Sequence, residues 1–541
     1  MEERKLKDNL PSVAYFCMEF GLHEEFKIYS GGLGILAGDI LKAANDENLP
    51  MVGVGILWRQ GYTRQLIGED GMPYDSYPEY RYDFLKDTGV VVDVKIRDRN
   101  VKCKVWECTK YNNVPLYLLD TYTLGSTDPF ITGQLYGWFD EERIAQEMVL
   151  GIGGVKALNE LGIKPDIYHF NDSHPVIAGI ELIRQKMEKQ DLSFKEALED
   201  TRKQIVFTTH TPVEAGNEVH EHRLLKYMGA YNGLTYEEMK YIGGDPFSMT
   251  VAGLRLSKIA NGVSKLHGET ARNMWKGTSG APEIIAITNG VHNGTWQDKS
   301  IVDSFMSNSK LWNSHMELKR EMISYIESKN NVTLDDGILT IGFSRRAAPY
   351  KRSNLIFRNK EIIENLLKDK KLQIVFSSKA HPNDMEGKKI ISNLYNMSKV
   401  YPNSVVFIED YDMKIGKMLT RGCDVWLNNP IRPMEASGTS GMKAAMNGVL
   451  NLSVLDGWWP EGCEHGVNGW QIGGGYVGEN QDKVDAESLY QVLVEEVIPT
   501  YYNNMEKWID MMKESIKMSQ EKFSAKRMVN EYYNRLYMSE V

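Results

Sequence analysis

The stretch Glu435-Ala436-Ser437-Gly438-Thr439-Ser440-Gly441-Met442-Lys443, entered from Asn428-Asn429-Pro430 and continued by Ala444-Ala445-Met446-Asn447-Gly448, decides how the rest of the chain is read. Small residues and hydroxyls give way to helix formers. That pattern predicts a tight turn feeding a helix N-terminus, with backbone N–H groups available to an anion. Glu435 and Lys443 stand at the two ends of the turn, where a carboxylate and an amine can face one ligand. A lysine beside a phosphate cradle either contacts the phosphate or joins an aldehyde cofactor. An ordinary helix start with a solvated lysine fits the same letters.

Working outward, Ile338 to Phe343 reads as a strand delivering Ser344-Arg345-Arg346-Ala347-Ala348-Pro349-Tyr350-Lys351-Arg352. So many cations in one turn of an acidic chain focus a positive potential, and arginine's planar fork matches phosphate oxygens. Leu372 to Ser377, Val405 to Ile408 and Cys423 to Leu427 are further parallel-strand candidates. Val449 to Leu455 runs into Asp456-Gly457-Trp458-Trp459, and helices dominate from Ala486. Trp458, Trp459 and Trp470 either stack on sugars or pack in the core.

The N-terminal half repeats the alternation. Ser12 to Phe20 is a strand-length apolar run, Tyr29-Ser30-Gly31-Gly32-Leu33-Gly34 a glycine-rich turn, and Ile35 to Asn45 a helical pattern. Met51 to Leu57 is a second strand, and Val90 to Asp120 alternates like hairpins, a β-rich insertion. Pro165 to Asp172 and Gln204 to Thr211 are strands with His174 and His210 at their polar ends, where doubly wound sheets bind ligands. Leu254 to Ala260, His267 to Trp275 and Glu283 to Asn289 continue the pattern. Glu218-Val219-His220-Glu221-His222 has strand-face spacing for a metal, but no zinc spacing accompanies it and a charged loop explains it as well, so no metal is expected. Asn330-Asn331 and Asp335-Asp336-Gly337 mark a break. The expectation is an α/β chain of two facing Rossmann-like domains, 1–300 with the β insertion and 301–541, the last helices returning to the first.

Composition sets limits. The 541 residues carry a formal charge of −10 with a pI near 5.7, which excludes a nucleic-acid binder by footprint. Met1 to Asp8 holds no apolar signal core, and no run reaches bilayer-spanning length, so a cytoplasmic location is expected. Cys17, Cys103, Cys108, Cys423 and Cys463 are scattered without metal spacing, as reduced thiols are.

These stretches together resemble the α-glucan phosphorylases of glycogen, starch and maltodextrin. EASGTSGMKAAMNGVL resembles their cofactor-lysine motif, SGGLGILA their glycine-rich loop and SRRAAPYKR their phosphate segment; FNDSHP, THTP and TNGV follow the family's order. The resemblance implies the GT-B architecture, pyridoxal phosphate, and cleavage of terminal α-1,4-linked glucose by inorganic phosphate to α-glucose 1-phosphate with retained configuration. It places the cofactor on Lys443, with Thr439, Ser440, Arg345 and Tyr411 about it, Gly31 and Gly32 turned toward the phosphates, and Arg346 and Lys351 on the substrate phosphate. His210, Asn289, Glu435, Ser437, Gly438 and Leu33 then match contacts to the glucosyl unit, and His174 is a further substrate candidate. A homodimer is implied too.

The chain departs from the family's longer members. Arg345 stands where they have lysine, Ser440-Gly441 replaces Gly-Asn, and Gly21 replaces an aromatic near the cofactor. The short segment before Pro11 leads us to expect no long regulatory region. The alternatives are a nucleotide-sugar-dependent glucan synthase of the same fold, which would carry a second glutamate where Lys443 stands, and a non-catalytic glucan-binding protein.

Overall fold

The computed structural model describes residues 10–213 and 216–539; the N-terminal run read for a leader lies outside them. The chain divides into two compact units, one formed by the stretches up to Thr63, Tyr77–Thr288 and from Met528, the other by Arg64–Ser76 and Asn289–Arg527. Both are mixed α/β with large, mainly parallel sheets.

In the first unit the strands are β1 (Val13–Phe16), β2 (Met51–Ile56), β3 (Lys86–Ile96), β4 (Arg99–Cys108), β5 (Leu116–Asp120), β6 (Ile167–Asn171), β7 (Ile205–Thr208), β8 (Ile259–Gly262) and β9 (Ile284–Ala286). Their order is β9-β8-β7-β6-β1-β2-β5-β4-β3. From β9 to β5 every pairing is parallel, with Val13 in register with Met51 on one side and Ile167 on the other. β4 pairs antiparallel with both β5 and β3, so the hairpin-patterned stretch extends the edge of the main sheet. β1 is buried at every residue, as a parallel strand covered on both faces requires, whereas β3 alternates. The strand order reverses about β1, between β2 and β6. The glycine-rich turn leads from β1 into helix α1 (Gly32–Asp46), whose buried residues run from Gly34 to Ala44. His169 of β6 is fixed by Thr208 at 2.7 Å and by Tyr537 at 2.8 Å.

The second unit holds β10 (Leu339–Ser344), β11 (Leu372–Ser377), β12 (Val405–Ile408), β13 (Val425–Asn428), β14 (Leu450–Val454) and β15 (Gly469–Ile472), in the order β12-β11-β10-β13-β14-β15. All pairings are parallel. Two runs in opposite directions start at β10 and β13, and such a reversal opens a crevice beyond the strands' carboxyl ends. Fully buried Asp424 ties the sheet to the long helix Asn308–Asn330, through Lys319 Nζ at 2.6 Å and His315 Nε2 at 2.8 Å.

Several expectations shift. The apolar run Leu254 to Ala260 straddles the end of helix Met249–Leu256 and the start of β8, because Ser257 ends the helix. The helix after β6 begins at Ile177, beyond Pro175, which leaves His174 in the connection from the strand. The hairpin Arg64–Ile67 with Pro73–Ser76 and strand β15 carried no strong period and went unread. Trp458, Trp459 and Trp470 are at most 2% exposed, with Trp458 edge-on to Phe523, so they pack rather than stack on sugars.

Candidate active site

In the second unit β10 delivers Arg345 and β13 delivers Asn428, the two strands flanking the reversal. Arg345 Nη1 donates to Glu435 Oε2 at 2.9 Å, while its Nη2 donates to Asn428 and, at 3.4 Å, to Ser440 Oγ. Lys351 Nζ reaches the same Glu435 oxygen at 2.8 Å. Burial pushes the Glu435 carboxyl up, but Lys351 and Arg345 outweigh it and hold it below its ordinary value. Arg346 is exposed, and among the described residues it makes no ion pair. The turn after Glu435 needs glycine at 438, where φ is +83°. It ends in the short helix α2 (Ser440–Ala445), in which Ser440 Oγ also accepts from Trp426 Nε1 at 3.1 Å.

Lys443 on α2 is 7% exposed, with Nζ 3.7 Å from the centre of the Trp296 ring. Two buried oxygens of the same unit, Ser437 Oγ in the turn before α2 and Asn289 Oδ1, have no hydrogen-bond partner among the described residues. Orphaned buried acceptors are rare and call for a ligand or water. Tyr411 follows β12, its hydroxyl close over Gly416.

In the first unit the glycine-rich turn follows β1 and His174 follows β6, on either side of the reversal; His210 follows β7. Asn171 Oδ1 lies 2.6 Å from His210 Nε2. Burial, with His267 and His174 nearby, lowers His210 to about 3, so its imidazole is neutral at ordinary pH. Burial likewise lowers His174 to about 4. A Cβ on Gly31 or Gly32 would meet nothing within 4 Å, whereas one on Gly34 would strike Glu19.

The carbohydrate phosphorylase pattern matches residues 155–232 and 298–464. The maltodextrin phosphorylase of Thermococcus litoralis is 40% identical over 97% of this chain and 70% of its own length. The Aquifex aeolicus glycogen phosphorylase is 36% identical, over 97% and 86% respectively. The chain belongs to the carbohydrate phosphorylase family. A Methanocaldococcus jannaschii protein, 36% identical over 97% of this chain and 99% of its own length, shows that another chain aligns with it almost end to end.

Within this phosphorylase-family chain, the structure gathers Arg345, Lys351, Glu435 and Ser440 by direct contact, with Lys443 on the same short helix. Gly31, Gly32, Leu33, His174 and His210 belong to the other unit. Sequence reasoning missed Asn428, Asn171 and Trp296; the first two end strands in polar residues, a signal that was present, while Trp296 has none. His220 Nε2 does approach Glu147 at 3.1 Å, and Glu147, Glu218 and His220 offer ligand atoms within 4.8 Å of one another. Arg143, however, holds both Glu218 oxygens, at 2.9 and 3.2 Å, so this cluster carries its own cation.

Proposed function

We propose that this chain is an α-1,4-glucan phosphorylase, transferring the terminal glucose of an α-glucan to inorganic phosphate with retention, and that pyridoxal phosphate is held at Lys443. The observation that carries the reading is the Arg345–Glu435–Lys351 cluster beside a buried lysine, in a chain of the carbohydrate phosphorylase family whose relatives bear maltodextrin and glycogen phosphorylase names.

The residues fit the cofactor. Lys443 is sheltered from water against Trp296, Ser440 and Arg345 offer a hydroxyl and a guanidinium to a phosphate, and Ser437 Oγ is a buried oxygen awaiting a partner. When bound, pyridoxal phosphate would supply a phosphate able to exchange a proton with the substrate phosphate. Two phosphates close together repel strongly, and Arg345, Lys351 and unpaired Arg346 bring the positive charge that such a pair needs. Thr439 and Tyr411 would complete the cofactor's surroundings, and Gly31 and Gly32 would turn the glycine-rich loop toward the phosphates. His210, neutral and oriented by Asn171, is suited to a hydrogen bond with a glucosyl hydroxyl, as are His174, Asn289, Ser437, Gly438 and the Leu33 backbone. Glu435 would hold the sugar once phosphate takes its place between the cations. Such hydrogen bonds stabilise the positive charge that develops at the anomeric carbon.

The two-domain GT-B arrangement belongs to the same proposal and is supported by family membership, with halves that differ from 1–300 and 301–541 in that Arg64–Ser76 and Asn289–Arg527 form one compact unit and the chain from Met528 belongs to the other. So do a homodimer and a cytoplasmic setting; no helix among the described residues is long and apolar enough to cross a membrane. The test is incubation of pyridoxal phosphate-loaded protein with maltodextrin and phosphate, following α-glucose 1-phosphate by phosphorus NMR. Release of the α anomer supports the proposal. Activity only with a nucleotide sugar, or binding without turnover, overturns it.

A further inference from the structure

We propose that Glu19 and Tyr136 are positioning residues that set the glycine-rich turn Ser30–Gly34 in the conformation its ligand meets. The inference rests on reading that turn as a contact to phosphate and glucose.

Glu19 lies just beyond β1 and is 2% exposed. Its Oε2 accepts the backbone N–H of Ser30 at 2.5 Å and of Gly31 at 3.1 Å, and its Oε1 accepts Ser30 Oγ at 2.9 Å and Tyr136 Oη at 2.7 Å. One carboxylate therefore gathers two consecutive turn amides, a turn hydroxyl and a phenol. From behind, the turn can move no closer: a Cβ on Gly34 would lie 2.5 Å from Glu19 Oε2, and Gly21 N–H donates to Gly34 O at 2.6 Å. Its other side is open at Gly31 and Gly32. Fixed on one side and open on the other, the turn is preorganised for a ligand rather than packed as core.

Tyr136 is itself held in an uncommon state. Its φ of +61° is left-handed, unusual for an aromatic residue. Arg143 lies 4.7 Å over its ring and is locked by Glu218, while the His174 ring is 5.5 Å away. Burial and the adjacent Glu19 push its hydroxyl well above the ordinary value, so it stays a donor. Strain at Tyr136 is tolerated where surrounding contacts over-determine it, and the product of those contacts is a hydroxyl aimed at the carboxylate that grips the turn.

The experiment compares wild type, Tyr136→Phe, Glu19→Gln and the double variant, in the loaded enzyme. It reads kcat, KM for phosphate, KM for maltodextrin, melting temperature, and amide exchange in the peptide spanning the turn. Tyr136→Phe keeps the ring and removes one hydrogen bond. We expect its KM for phosphate to rise about fivefold, with faster exchange at Ser30 and Gly31 and an unchanged melting temperature. Glu19→Gln should cost about 100-fold in kcat/KM for phosphate, and the double variant should match it, because Tyr136 acts through Glu19. If Glu19→Gln does not fold, Tyr136→Phe decides alone. Wild-type phosphate KM and exchange in Tyr136→Phe overturn the inference, as does a uniform loss that tracks a fallen melting temperature. A wild type that releases no glucose 1-phosphate sinks the functional reading instead, and the exchange rates then still decide whether the two residues hold the turn.

Discussion

Glu435 Oε2 accepts hydrogen bonds from Lys351 Nζ at 2.8 Å and from Arg345 Nη1 at 2.9 Å, so one buried oxygen stands between two cations. Replacing it by Glu435→Gln leaves two charges facing each other without an anion. Losing one member of a buried pair typically costs about 3 kcal/mol. Thermal unfolding in phosphate-free buffer should show that loss, and added phosphate should restore part of it, because an oxyanion takes the vacated position. A variant indifferent to phosphate would mean that the cations do not form an anion site.

Arg346 differs from Arg345 and Lys351 in being exposed and, among the described residues, in making no ion pair. Arg346→Ala should therefore leave the melting temperature within about 1 °C, since a surface substitution away from buried contacts changes little. Its KM for phosphate should rise about tenfold or more, a charge-assisted bidentate contact being worth at least ~1.4 kcal/mol. Steady-state kinetics at fixed maltodextrin separates this from a change in glucan affinity.

The alternation of apolar runs and polar turns made the strands legible, and β11 and β12 have the bounds that the letters suggest. Both candidate regions were legible for the same reason: polar residues follow strands that flank a reversal of order. What the letters could not carry was partnership. Nothing in the sequence says that Arg345 pairs with Glu435, 90 positions away, or that Asn171 orients His210, 39 positions away. The hairpin Arg64–Ile67 with Pro73–Ser76 was hidden because its hold is polar: Gln65 exchanges hydrogen bonds with the backbone of Ala380 at 2.9 and 3.1 Å, a contact without hydrophobic period.

Lys443 gives the most direct test of the cofactor. Borohydride reduction of protein purified with pyridoxal phosphate, followed by peptide mapping, should find a pyridoxyl adduct on Lys443, and Lys443→Ala should lose both the adduct and the activity. An adduct confined to surface lysines would remove the cofactor from the proposed function.

Acid should weaken the first unit. Burial lowers His169 and His210 to about 3 and His174 and His267 to about 4, against about 6.5 in an unfolded chain. Burial acts oppositely on Glu147 and Asp172, raised to about 7 and about 6. Near pH 5 the unfolded chain thus binds protons at four histidines, while the folded chain holds them at two carboxyls. The unfolded state carries roughly two more, and stability rises with pH by on the order of 3 kcal/mol per unit there. Urea midpoints at pH 5 and pH 7 should differ accordingly. A higher midpoint at pH 5 would show that the buried imidazoles are protonated in the fold.

Gly38 lies inside helix α1, where replacing glycine by alanine ordinarily stabilises by about 1 kcal/mol. Here the sign reverses. A Cβ at 38 would sit 2.2 Å from the Gly21 carbonyl oxygen and 2.6 Å from its carbon, both backbone atoms that cannot swing aside. Gly21 in turn admits no side chain without striking Ile35, whose Cα lies 3.0 Å from the added carbon. The helix is therefore docked backbone to backbone at Gly21. Gly38→Ala should destabilise by about 2 kcal/mol or more, the range for overpacking. Its effect should reach the turn at the head of the helix, since Gly34 O accepts from Gly21 N–H. Calorimetry together with the KM for phosphate measures both, and a stabilised Gly38→Ala would show that α1 has room to rise from the 19–22 segment.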